Sequence, residues 1–277
     1  MISKIKYIFV YLFLIILSFG SIFPIFWMLV SSTNTSADIL SGRLLPGTAI
    51  LINLSKILEM YNLGGAILIS FRNAICLTAL ALVVCSMAGY GFEIYRDKAK
   101  DTVMRFVLMG MMVPAISIVI PLYKMFASAD MLNTMWGCIL PTISTPFLIF
   151  LFRQNTKSFP REIIQAARID GLNEIQIYLR IYMPIMGATY ATAMTITFMN
   201  AWNAYLWPNI VLLDDSKITM PILLSYLMTG YKMDYGAILL CVTCCTLPTI
   251  IIFLTLQKFF VSGIAVRLRD DLRRQGD

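Results

Sequence analysis

PREIIQAARIDGLNEIQIYLRIYMP, residues 160–184, is a polar stretch carrying both charge signs inside an otherwise apolar chain. Pro160 suits the first turn of a helix, where its missing N–H is not needed, and Glu162 complements the positive helix end. Ala166 and Ala167 favour helix and carry almost no side chain, and Gly171 after Asp170 suits the left-handed residue that closes one. Asn173 and Gln176 form a capping pair for a second helix, expected to end near Pro184 because the residue before a proline is pushed out of the α region. Two short helices should therefore meet at a glycine corner. An ordinary loop with two helical pieces is the plain reading of these signals; what the loop does depends on the rest of the chain.

That rest requires a membrane. Of 277 residues, 59% are hydrophobic and 13% charged, and the mean hydropathy of +0.79 lies far from a soluble domain. Apolar runs near Tyr7–Ser31, Ile67–Phe92, Met104–Ala127, Thr134–Phe152, Ile185–Leu213 and Tyr235–Val261 approach or exceed the roughly 20 residues that cross a bilayer. The expectation is an all-α polytopic membrane protein with about six spans. Pro114, Pro121, Lys124, Pro141 and Pro146 interrupt the third and fourth runs, marking kinks or a re-entrant passage. Lys4 and Lys6 precede a first run longer than a signal peptide's apolar core, which reads as a retained helix. The domain reading is an N-terminal span at 1–32, an extracellular segment at 33–66 with turn or hinge signals at Pro46 and Gly64-Gly65, a core at 67–265 with its loop at 154–184, and a charged cytoplasmic tail at 266–277.

Lysine and arginine set the orientation. With both termini inside, the inner segments hold Lys4, Lys6, Arg96, Lys98, Lys100, Arg105, Arg153, Lys157, Arg161, Arg168, Arg180 and the cluster from Lys258 to Arg274, against far fewer outside. The polar island then faces the cytoplasm, and the formal net charge of +7 reflects topology rather than nucleic-acid binding. Catalytic chemistry is missing. With no histidine, Ser-His-Asp and Cys-His arrangements are unavailable, and without a GxxxxGK[ST] loop the chain should not hydrolyse ATP. Cys241 and Cys244 have CxxC spacing but sit in an apolar run and read as small packing residues. Few ionisable residues lie deep in the spans, which disfavours a proton or ion relay. The fifth run instead offers neutral groups. Thr197, Asn200, Trp202 and Asn203 combine amides, a hydroxyl and a ring, the chemistry that holds sugar hydroxyls and stacks on C–H faces; threonine packing and an aromatic belt at Trp207 are the alternative.

Pro160, Glu162, Ala166, Ala167, Ile169, Asp170, Gly171, Ile181 and Pro184 resemble, at the same spacing, the EAA loop of permease subunits of binding-protein-dependent ABC importers, especially their carbohydrate branch. Asn73, Tyr90-Gly91-Phe92, Pro114, Pro121-Leu122-Tyr123, Trp202-Asn203, Trp207-Pro208, Leu247-Pro248 and residues 257–263 extend the resemblance over roughly residues 65–265. It implies the type I importer permease architecture in a bacterial or archaeal plasma membrane. The partners it implies are a second homologous permease, two ATPase subunits that hold the ATP and Mg, and an external solute-binding protein that delivers a sugar or oligosaccharide. This chain itself would need no cofactor, would touch membrane lipid and would not bind nucleic acid. The island becomes a coupling helix, with Glu162, Gln165, Ala166, Ala167, Asp170 and Gly171 meeting the ATPase. Gln165 stands where the family usually has glutamate, so either a neutral hydrogen bond or Glu162, three residues earlier, replaces the expected charge pair. The tail is either a solvated or lipid-surface segment or an insertion between the ATPase subunits. Two other readings stay open: an importer for polyamine, phosphate or another solute, and a self-sufficient ion-coupled transporter or channel.

Overall fold

The computed structural model describes residues 2–229 and 233–274, with side chains from Lys6 to Leu256 among them. The side chains of the charged tail at 266–277 lie outside the described residues. Every regular element described is helical. In chain order the helices are α1 (Ile2–Ser31), α2 (Ser36–Leu40), α3 (Ile50–Met60), α4 (Leu63–Ile94), α5 (Lys98–Met109), α6 (Ala115–Ser128), α7 (Met135–Ile139) and α8 (Pro146–Thr156). After them come α9 (Arg161–Ile169), α10 (Glu174–Ile177), α11 (Met183–Ile185), α12 (Gly187–Trp202), α13 (Leu206–Val211), α14 (Met220–Thr229) and α15 (Tyr235–Arg274).

By length and composition, Lys6–Ser31, Leu63–Ile94 and Tyr235–Leu256 are long and apolar enough to cross a membrane. Two bent pairs bring the number to five: Lys98–Met112 with Ala115–Ser128, bent by 100°, and Met135–Thr142 with Pro146–Thr156, bent by 47°. The bends fall where proline removes a backbone donor. Pro114 sits extended (φ −61°, ψ 130°) ahead of α6, and Pro146 opens α8. The run at 185–213 is divided, because the chain leaves α12 at Asn203 and re-enters helix only at Leu206.

One compact unit comprises residues 1–66 and 220–248. The apolar span of α1 has no buried residue in its most hydrophobic window, as expected of a helix whose solvent is lipid. Beyond it the chain is held tightly. The Asn53 amide donates to the carbonyls of Ser32 and Asn34, both at 3.0 Å. Asp234 takes Lys56 at 2.5 Å and the Ser36 hydroxyl at 3.0 Å, while the amides of Gly236 and Ala237 donate to it and so cap α15. Burial raises the Asp234 carboxyl, but the Lys56 and backbone hydrogen bonds outweigh it and leave it below its ordinary value. Gly64 and Gly65, expected as hinge signals, instead lie in the first turn of α4, where the Gly65 amide donates to the Asn62 side chain at 2.8 Å.

The second unit comprises residues 67–219 and 249–277. Its middle is packed by Ala81, Leu82 and Cys85 of α4, Met104 of α5, Leu148, Ile149 and Phe152 of α8, and Ala193 of α12. Gly89 permits the closest approach of α4 to α8: a Cβ there would lie 2.5 Å from that of Phe152. Below this layer, Tyr90, Phe159, Ile164, Ala167, Ile177, Tyr178, Tyr182 and Met186 form a separate cluster beneath α9 and α10.

Candidate functional site

The polar island folds from its local signals. Pro160 is the N-cap of α9. At the other end Gly171 adopts φ +83°, its amide donates to Arg168 O at 3.1 Å, and the Leu172 amide reaches back to Ala167 O at 3.0 Å. That pair of bonds satisfies carbonyls the helix would leave orphaned. Asn173 and Gln176 complete a reciprocal capping box on α10, at 2.9 and 3.0 Å. The expected end near Pro184 falls one residue beyond it, at Ile185, with Met186 (φ −82°, ψ 14°) as the break. Before it, Tyr178–Tyr182 forms a π turn, with the Met183 amide donating to Tyr178 O, so that Pro184 sits inside the short α11 and α12 begins at Gly187. The wider turn shifts the bonding register so that the proline ring no longer opposes the carbonyl one α turn back.

α9 is two-faced. Ile164 and Ala167 are buried against the cluster below, whereas Glu162, Gln165, Ala166 and Asp170 are exposed. Ile169 is 87% exposed, so 162, 165, 166 and 169 form one outward stripe at helical spacing. Of the six residues assigned to the ATPase, the structure places Glu162, Gln165, Ala166, Asp170 and Gly171 at the surface and turns Ala167 inward at 4% exposure. The small side chain of Ala167 serves the close seat of α9 on its own protein.

The underside of α9 is strapped at both ends to the last turns of α4. At its start, the Arg161 guanidinium donates to the Glu93 carboxylate at 3.3 Å and to the Glu93 backbone carbonyl at 3.2 Å. Glu93 is 3% exposed in its side chain and also takes Arg153 of α8 at 3.3 Å, with Arg96 at 4.0 Å. Arg153 and Arg96 both reach on to Asp101 of α5. Burying a carboxylate is costly without such partners. At the far end, Arg168 pairs with Glu174 at 2.8 Å, donates to the Tyr95 hydroxyl at 3.3 Å and lies 5.6 Å over the Tyr95 ring, and Tyr90 donates to Glu174 at 3.4 Å. The Arg168 hydrogen bond, ahead of that from Tyr95, holds the Glu174 carboxyl below its ordinary value. Between the straps Tyr90 stacks edge-on against Tyr182 and Tyr178, at 4.8 and 5.6 Å between centroids. The Tyr178 hydroxyl bonds Ser86 and Tyr190, and that of Tyr182 bonds Thr156.

Glu93, Asp101 and the bonding roles of Arg153 and Arg161 were not read from the sequence, where the arginines served only to orient the chain. One signal was present: Glu93 is an acid closing an apolar run, directly after Tyr90-Gly91-Phe92, and such a residue needs a named partner.

The second group of expected residues separates. Thr197 and Asn200 line a cavity of about 360 Å³ with Thr142, Thr145 and Phe147, within the usual range for small-molecule sites. Trp202 is 1% exposed, its ring 4.6 Å from Phe71 and stacked at 6.1 Å on Phe198. Asn203 follows the end of α12, where its amide donates to Met199 O at 2.8 Å. Trp207 donates to Gly137 O at 3.0 Å.

A multi-pass helical protein with bent spans, an uncharged cavity dotted with threonine and asparagine, and an amphipathic helix strapped to them is, as a class, a transport permease. Residues 81–266 match the family described as binding-protein-dependent transport system inner membrane component, and the chain belongs to that family. It is 40% identical to the lactose transport system permease protein LacG of Rhizobium radiobacter over 89% of this chain and 90% of the relative. It is 35% identical to the arabinooligosaccharides transport system permease protein AraQ of Bacillus subtilis over 92% of each. Among solved structures, a chain of a bacterial ABC transporter involved in the import of the acidic polysaccharide alginate superposes with a TM-score of 0.82 at 20% identity, covering 93% of this chain and 97% of that one. The fold is that of an importer permease.

Proposed function

We propose that the chain is one permease subunit of an ATP-driven importer for a sugar or oligosaccharide. It works with a second homologous permease, two ATPase subunits that bind ATP and Mg, and an external binding protein that delivers the solute. The names of LacG and AraQ support the substrate class. The distribution of Lys and Arg supports an orientation with both termini and the α9–α10 loop in the cytoplasm, and residues 33–66 outside. A cysteine at Asn173 labelled from outside intact cells by an impermeant reagent would reverse it.

The observation that carries this reading is α9 itself, with an outward stripe of Glu162, Gln165, Ala166 and Ile169 on a helix whose other face is fastened to α4. A nearly fully exposed isoleucine beside a glutamate and an amide is a surface made for a partner. The ATPase pair, closing on ATP, displaces α9 as a rigid body and switches the permeases between inward-open and outward-open states. Gln165 contributes a neutral hydrogen bond, leaving Glu162 as the charge on this face. Thr197 and Asn200, with Thr142 and Thr145, present hydroxyls and an amide to the passing solute.

The test is ATP hydrolysis by the purified four-subunit complex, reconstituted with its binding protein, over a panel that includes lactose, arabino-oligosaccharides, polyamine and phosphate. Stimulation by a carbohydrate alone is expected. Stimulation by polyamine or phosphate alone would replace the substrate class, and uptake by this chain without an ATPase would replace the importer reading with an ion-coupled transporter.

A further inference from the structure

Coupling through α9 requires it to carry force in both directions, because closure of the ATPase pushes the helix and reopening must draw it back. Apolar packing under α9 resists a push but slides under shear, whereas directional bonds at fixed geometry resist separation. The structure supplies such bonds where α4 ends. Arg161, in the first turn of α9, donates at once to the Glu93 carboxylate and to the Glu93 backbone carbonyl, at 3.3 and 3.2 Å. That carbonyl belongs to the last turn of α4, where carbonyls lack helical partners and the helix end attracts a cation. The same carboxylate takes Arg153 from α8, and Arg153 and Arg96 bind Asp101 of α5. One side chain, 3% exposed, thus meets guanidiniums from α8, from α9 and from the segment after α4.

We infer that Glu93 is the positioning residue that makes α9 and α4 move as one body, with Arg161 as the tether that transmits the return stroke. This rests on the coupling role proposed for α9. Glu93 touches neither solute nor nucleotide; it acts by fixing Arg161.

Removing Glu93 takes from the buried Arg153 one of its two partners among the described residues, and that variant risks misfolding, so the decisive variant is Arg161→Gln. Its side chain is 55% exposed, and loss of the guanidinium leaves the Glu93–Arg153 pair in place. The complete four-subunit transporter is placed in nanodiscs with spin labels carried on p-acetylphenylalanine at Met87 of α4 and Ile163 of α9, both exposed. The distance between them is measured without nucleotide and with ATP and vanadate. The wild-type protein is expected to give the same narrow distribution in both states. Arg161→Gln should assemble normally yet broaden or shift when ATP is added, and ATP-driven transport should fall by about 3- to 30-fold. Arg161→Lys should recover part of both. A distribution in Arg161→Gln that stays narrow and unmoved by ATP would overturn the inference. Ala166→Trp, on the outward face, separates it from the coupling reading. If that variant retains its ATPase subunits and its full response to ATP, the coupling role fails whatever the distances show. If it loses them while Arg161→Gln stays rigid, only the tether fails.

Discussion

Beneath α9, two carboxylates and three guanidiniums are bonded into one cluster, and between the straps lie the packed rings of Tyr90, Tyr178 and Tyr182. Around Asn200, no charged side chain among the described residues lines the cavity of about 360 Å³, whose wall sets three threonines and one asparagine among apolar side chains. The contrast follows from what each region does. A force-bearing joint gains from directional bonds anchored on a buried carboxylate, whereas a pathway for a neutral solute must bind weakly enough to release it. Fixed charge in the cavity would trap counter-ions and resist desolvation, and unbonded hydroxyls beneath α9 would let the joint slip.

The largest way to break this contrast is Gly171→Asp. It forces a non-glycine residue to φ +83° and adds a charge at the exposed helix corner, so transport should be abolished while the chain still inserts. Wild-type uptake in that variant would detach the loop from coupling. Next is Glu93→Gln, which removes the carboxylate from a buried pair with Arg153. The cost of breaking such a pair is about 3 kcal/mol, read as a lowered unfolding temperature in detergent, with Glu93→Asp recovering part of it. In the other region, Asn200→Ala should raise the half-saturating solute concentration by about 3- to 10-fold through loss of a hydrogen bond, with an unchanged unfolding temperature. Equal destabilisation by Glu93→Gln and Asn200→Ala would erase the distinction. The smallest effect is expected from pH. Glu174 titrates below its ordinary 4.5 because of Arg168 and Tyr95, so the far strap is complete above that value and weakens only as pH falls below it. Loop protection in hydrogen exchange should therefore be level from pH 7 to 5 and decline on further acidification; a decline already between 7 and 5 would assign the strap to other groups.

How much of this was legible depended on sequence distance. The caps of α9 and α10 follow from residues within five of each other, so Gly171, Asn173 and Gln176 were read correctly from local rules. Glu93 lies 60 residues from Arg153 and 68 from Arg161, and no local pattern joins them. The end near Pro184 was legible, but the π turn at Tyr178–Tyr182 that lets the proline sit inside the helix was not, because no local rule signals a change of register. Trp202 and Ala167 show a different limit. Their residue types suited solute and ATPase, but which way each faced was fixed by neighbours far along the chain, Phe71 for one and the tyrosine cluster for the other. Thr142 and Thr145 stand beside Asn200 only because α8 packs on α12, a contact that no local pattern announces.

The central claim is that the outward stripe of α9, and not its inward face, meets the motor. Single cysteines at Ala166, Ile169 and Ala167, each cross-linked in the complete transporter by a short thiol-to-amine reagent, test it directly. The account expects Ala166→Cys and Ile169→Cys to capture an ATPase subunit and Ala167→Cys to capture none. Capture from Ala167→Cys alone, or from none of the three in an intact complex, would contradict it.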